Sequence, residues 1–146
     1  MSDSTARIVV GVDGSPASLD ALRWAVRQAD LTSAAVEVVI TWHWPAAYGS
    51  YPLMAEIDWE GNARDTLATS VKDCLGDRVG DVAQRVVEGH PAKVLLDASA
   101  GADLLVVGSR GHGGFSGMLL GSVSEHVVSH APCPVLVVRA HGADAA

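Results

Sequence analysis

Residues 102–139 read ADLLVVGSRGHGGFSGMLLGSVSEHVVSHAPCPVLVVR, and the fold turns on this stretch. Leu104 to Val107 is a continuous apolar run rather than an alternating one, the pattern of a strand covered on both faces of a parallel sheet. It stops abruptly at Gly108. Ser122 to His130 reads as a helix, Pro132 and Pro134 bracket Cys133, and Val135 to Val138 is a second continuous apolar strand. Strand, glycine-rich loop, helix and strand in sequence call for parallel pairing with a right-handed crossover.

The same rhythm runs through the rest of the chain. Arg7 to Val12 is a β-branched run that ends at Asp13-Gly14-Ser15-Pro16, where Ser15 suits an N-cap and Pro16 the first helical position. Leu19, Leu22, Val26 and Ala29 then fall on one helical side, with Arg23, Arg27 and Asp30 toward the other. Ala35 to Trp42 is the second apolar strand, His43 to Pro52 a loop, and Glu56 to Leu75 a helix with Leu67, Val71 and Cys74 on one face. Val82 to Val87 is a strand, and Pro91 opens a helix carrying Val94, Leu95 and Ala98.

Five strands separated by four helices predict an α/β domain: a single open parallel sheet with helices on both faces. The third strand is the exception in composition, because Gln84 and Arg85 sit inside it and suit an exposed edge. The order 3-2-1-4-5 follows, with its topological switch between strands one and four. Ligands of open α/β sheets bind outside the carboxyl ends of the strands at such a switch. The candidate segments are therefore Asp13-Gly14-Ser15 and the stretch after Val107.

Length and charge narrow the class. A chain of 146 residues suits one domain, spanning 1–146 with residues 141–146 as a frayed tail, and can hold a core without staples or metals. With 10 Lys+Arg against 17 Asp+Glu the net charge is −7. No Lys/Arg stripe is present to displace counterions from a phosphate backbone, which argues against nucleic acid as a partner. The apolar runs fall far short of the ~20 residues of a membrane helix, and the polar start MSDSTAR predicts a cytoplasmic location. Cys74 and Cys133 lack metal-ligand spacing and read as small buried apolar residues.

The loop from Gly108 to Gly121 holds six glycines in fourteen positions, so its backbone can approach an anion closely. The amides of Val123, Ser124 and Glu125 in the following first helical turn, with the helix dipole behind them, suit phosphate. A second reading stands beside it: Ser122-Val123-Ser124-Glu125 also matches a capping box, in which Ser122 and Glu125 satisfy each other's backbone donors. Other phosphate motifs fail, since the loop has no P-loop lysine and G-x-G-x-x-G does not follow the first strand. A nucleophile elbow G-x-S-x-G is absent too.

Gly108-x-x-Gly111, nine residues, then Gly121-Ser122 is the spacing G-2x-G-9x-G-[ST]. Together with IVVGVDGS, ADLLVVGSRG and GSVSEHVVSHAPCPVLVVR, it resembles the ATP-binding branch of the universal stress protein family over essentially the whole chain except the tail. The resemblance implies an adenine nucleotide alpha-hydrolase-like fold, ATP at the switch point, a stress-response role and a homodimer. By position it places Asp13 at the ribose and Val12, with Ile40 and Thr41 at the end of the second strand, near adenine. It places Gly108, Gly111, Gly121, Ser122, Val123 and Ser124 around the phosphates, with Val107 and Ser109 also at the nucleotide.

Around that implied site several roles stay open. Arg110 either neutralises phosphate or is a solvated loop residue. Asp13 shapes the turn, faces sugar hydroxyls, or shares a Mg²⁺ with the phosphates. Thr41-Trp42-His43-Trp44 is bulkier than the family norm, so its tryptophans pack the core or stack on the base. His112 is exposed or touches phosphate, His126 and His130 are surface or dimer residues, and Met118, Leu119 and Leu120 pack the loop. Val135 to Val138 is apolar until Arg139, and an uncovered edge of that kind is an aggregation hazard that pairing with a second copy would remove. Three functions remain: a nucleotide-dependent regulatory protein, the favoured one; a slow ATPase, although no base is evident; and a structural dimer without nucleotide.

Overall fold

The β-branched run Ile8-Val9-Val10 forms the middle of β1 (Arg7–Gly11), and the computed structural model that contains it describes residues 5–43, 57–110 and 120–140. Gly14, at φ 85°, turns the chain, and Ser15 accepts from the Ser18 N–H as the N-cap of α1 (Pro16–Thr32). Pro16 is the first helical residue as the sequence predicts, because its missing N–H has no helical partner to lose there. The helix ends at Ser33 in the left-handed region, φ 60°, and β2 (Ala35–Trp42) follows.

α2 (Trp59–Leu75) is capped by Asp58, whose side chain accepts from the Gly61 N–H; the predicted start at Glu56 lies outside the described residues. A 3-10 segment, Gly76–Asp81, then leads into β3 (Val82–Glu88). α3 (Pro91–Ala98), β4 (Leu104–Gly108), α4 (Ser122–His130) and β5 (Val135–Val138) complete the series. The tail 141–146 also falls outside the described residues.

The five strands pair in the order β3-β2-β1-β4-β5, all parallel, as predicted. Gln84 and Arg85 are exposed on β3 at one edge. Alternate residues of the sheet divide two cores. Ile8, Val10, Val38 and Ile40 pack with Leu22 of α1 and Leu67 of α2, while Val9, Val39, Leu105 and Val107 pack with Leu95 of α3 and Val127 of α4. Leu22, Leu67 and Leu105 are fully buried, worth about 1.5–3 kcal/mol each in water removed from apolar surface. Trp42, partly buried, packs against the first core.

Among the described residues the helices of the second face are the shorter ones, α3 with 8 residues and α4 with 9, where α1 and α2 have 17 each. Polar contacts fill the difference. Glu37, on β2, accepts from Arg7 at 3.1 Å and from Arg85 at 3.1 Å, and Arg7 also donates to the Ala98 and Ala100 carbonyls at the end of α3. Cys74 and Cys133 are partly buried and unpaired with each other, and burial pushes both thiols up from their ordinary value. That agrees with small apolar residues rather than reactive ones.

Candidate functional site

β1 and β4 lie side by side, Val10 opposite Val106, and their continuations leave to opposite faces of the sheet: α1 follows β1 into the first core, and α4 follows β4 into the second. A crevice opens where neighbouring strands part in this way. Its walls are the two segments that the sequence points to.

On the β1 side the turn is knitted by short polar contacts. The Asp13 N–H donates to Ser18 Oγ at 3.2 Å, Ser18 Oγ–H donates to the Ser15 carbonyl at 3.0 Å, and the Ser15 N–H donates to Asp13 Oδ1 at 2.9 Å. Asp13 therefore does shape the turn, as an Asx turn, while its side chain stands exposed at the crevice. Ser18 is a residue that the sequence reading missed. Its signal was there, a serine three positions past the cap, where a buried hydroxyl can close on the cap carbonyl. Val12 is buried and its N–H donates to the Val39 carbonyl at 2.9 Å, which places the end of β2 beside the turn.

The β4 side is closed by hydrogen bonds across the loop. The Ser109 N–H donates to the Val138 carbonyl at 2.7 Å, and the Gly121 N–H donates to the Ser109 carbonyl at 2.6 Å. The buried Ser124 Oγ–H donates to the Gly108 carbonyl. The loop thus leaves and returns at one point, and the first turn of α4 is tied to the end of β4. Gly108, Ser109, Gly121 and Ser124 are brought together; Arg110 is half-buried at the start of the excursion, and Gly111, His112, Met118 and Leu119 lie outside the described residues, as does Trp44.

One expectation needs correction. The capping box does not form: Gly121, at φ −75° and ψ 170°, holds the cap position without a side-chain bond, and Ser122 is the first helical residue. That register puts Ser124, not Glu125, three residues beyond the cap. The Glu125 N–H already donates to the Gly121 carbonyl at 2.9 Å, so the amides without a partner inside the helix are those of Ser122, Val123 and Ser124. The glycine at 108 also has a packing reason: a Cβ there would stand 2.8 Å from the Ala17 carbonyl carbon and 2.9 Å from the Ser18 nitrogen. The Ile40 and Val107 side chains are core, 5% and 3% exposed, while Thr41 and Trp42 at the end of β2 are half-buried.

The arrangement offers an anion three first-turn amides and the positive end of a helix dipole, with a carboxylate across the crevice on Asp13. Among the described residues no group of three or more His, Cys, Asp or Glu gathers as a metal site, and no helix is long and apolar enough to cross a membrane.

Comparison with known proteins follows the same lines. The model of the universal stress protein family matches residues 5–139. Over 95% of its length the chain is 39% identical to a universal stress protein of Mycolicibacterium smegmatis, of which it covers 49%. It spans about half the length of the curated relatives it matches. The universal stress protein UspA from Lactobacillus plantarum superposes with a TM-score of 0.77 at 24% identity, over 94% of this chain and 100% of that one, which speaks to the fold alone. A universal stress protein solved in complex with cAMP matches with a TM-score of 0.68 at 28% identity, covering 92% and 97%. Since the family match begins ahead of β1 and runs to the residue after β5, this chain belongs to the universal stress protein family.

Proposed function

We propose that the chain binds ATP, with Mg²⁺, in the crevice between the ends of β1 and β4, and that it acts as a regulatory homodimer in the stress response whose state follows the bound nucleotide. The observation that carries this is the closure of the β4 loop: Gly121 to Ser109 and Ser124 to Gly108 hold the first turn of α4 at the end of β4. The three amides of that turn take the phosphates. Asp13, whose charge would repel them, faces the ribose hydroxyls or a Mg²⁺ that the phosphates share. Val12 and Thr41 border the base, and Arg110 neutralises charge in an acidic protein. The cAMP complex of a relative supports an adenosine with a phosphate as the ligand chemistry.

Regulation fits better than turnover. Asp13 is tied into its turn through Oδ1, and Glu125 stands exposed one residue beyond the phosphate-facing amides, so neither is arranged to orient an attacking water. Denaturing freshly purified protein and identifying what it releases by mass spectrometry tests the reading. Near-stoichiometric ATP is the expected result. Protein that is released empty and fails to bind added Mg²⁺-ATP would leave a structural dimer without nucleotide.

The dimer is assigned to β5. The Pro134 and Val138 carbonyls accept from β4, so the alternate residues Val135 and Val137 turn their backbone groups away from the sheet. Val137→Pro deletes an outward N–H without touching the β4 ladder. Light scattering should then report a monomer with an unchanged circular dichroism spectrum, whereas a persisting dimer would move the interface elsewhere.

A further inference from the structure

The outer face of α4 carries a second chemistry that the nucleotide does not use. His126 and His130 are exposed, and the helix places them one turn apart on the same side, with ring centroids 4.5 Å apart and planes inclined by 20°. The sequence suits them to a surface or a dimer contact; the helix brings each beside the other. Two histidines at i and i+4 on one face are the spacing with which helices present imidazole to a zinc ion.

A hydrogen bond prepares one ring for that role. His130 Nδ1 lies 3.0 Å from the His126 carbonyl oxygen, and because a carbonyl only accepts, the neutral ring carries its proton on Nδ1. Nε2 is then the nitrogen with the lone pair. Metal-binding histidines are oriented in this way, the second ring N–H donating to a backbone carbonyl. Two nitrogens bound to one ion at about 2.0–2.1 Å are at most ~4 Å apart, within reach of rings already stacked at 4.5 Å once His126 turns about its χ2. The position also favours a cation, since His130 lies in the last turn, where the helix dipole is negative.

We propose that His126 and His130 form a bidentate site for a borderline divalent transition-metal ion, Zn²⁺ first, with water completing its shell. Imidazole nitrogen is a poor ligand for hard cations, so Mg²⁺ brought by a nucleotide does not compete for the site. The two cations are separated by ligand chemistry as well as by position.

Calorimetric titration of Zn²⁺ into tag-free, metal-stripped protein, in excess Mg²⁺, tests the proposal. One ion per chain is expected. His126→Ala and His130→Ala should each weaken binding roughly 10-fold or more, the double variant should be little worse than either, and His43→Ala should match the parent. Zn²⁺ at a hundred times the parent's Kd should raise the parent's Tm by roughly 5–10 °C and that of either single variant by at most about half as much. Absence of binding overturns the proposal. So does binding that survives in both single variants, or a stoichiometry that merely halves in each, which would mark independent histidines. Because both side chains are exposed, an unchanged circular dichroism spectrum in the variants keeps loss of binding distinct from loss of fold.

Discussion

Two glycines end the two strands that flank the crevice, and they are there for different reasons. A Cβ on Gly11, the last residue of β1, would meet the side-chain tip of Leu95, with Cδ1 at 2.7 Å and Cδ2 at 2.9 Å. A Cβ on Gly108, the last residue of β4, would meet α1 itself, at the Ala17 carbonyl carbon and the Ser18 nitrogen. A leucine tip can rotate away; the backbone of a capped helix cannot. The end of β1 is thus bounded by something soft and the end of β4 by something rigid, and the rigid side is the one that carries the proposed phosphate site.

Gly108→Ala should therefore be the most damaging change. It forces α1 off the sheet, at about 2–3 kcal/mol of stability measured by urea unfolding, and it should also abolish nucleotide binding. Equal loss in Gly11→Ala would erase the distinction. Ser124→Ala comes next. Deleting the hydroxyl leaves the Gly108 carbonyl without its donor, at about 1–2 kcal/mol, and loosens the first turn of α4, so nucleotide affinity should fall more than urea stability does. Gly11→Ala should be mildest, near 1 kcal/mol, and Leu95→Val in the same chain should recover part of that loss by removing the methyls in the way. Strictly additive losses in that pair would mean that the backbone of β1, not Leu95, is the obstacle.

The sheet was legible because its evidence is local. Leu104 to Val107 and Val135 to Val138 are apolar at every position, and Gln84 and Arg85 break the pattern only where the sheet has an edge. The caps were legible where a side chain performs them, at Ser15 before Pro16, and misread where none does. Gly121 offers no hydroxyl to notice, while Ser122 beside it mimics a box. His90 was missed for a related reason: it caps α3 by accepting the Ala92 N–H at Nδ1, a role for which serine or aspartate is the usual sign, although Pro91 at the first helical position already pointed to it.

The candidate site divides the same way. Asp13, Gly121 and the first turn of α4 could be found from spacing, because a turn, a loop and a helix start are written in consecutive residues. What could not be found depends on distant chain segments meeting. That Gly108 must accommodate Ala17, that Glu37 in the middle of β2 is needed by Arg7 and Arg85, and that Ile40 and Val107 bury themselves away from the crevice are all facts of packing. No local pattern announces them.

Arg7 gives the strand order a consequence in time. It opens the strand at the centre of the sheet, so β1 can pair with β2, and β2 with β3, as soon as each emerges. Its guanidinium nevertheless completes its bonds only at the Ala98 and Ala100 carbonyls, the latter 93 residues later. At ribosomal rates of roughly 5–20 residues per second that is an interval of about 5–20 s. Throughout it, the β4-facing edge of β1 stands open on a nascent half-sheet, and a chaperone has most to protect there.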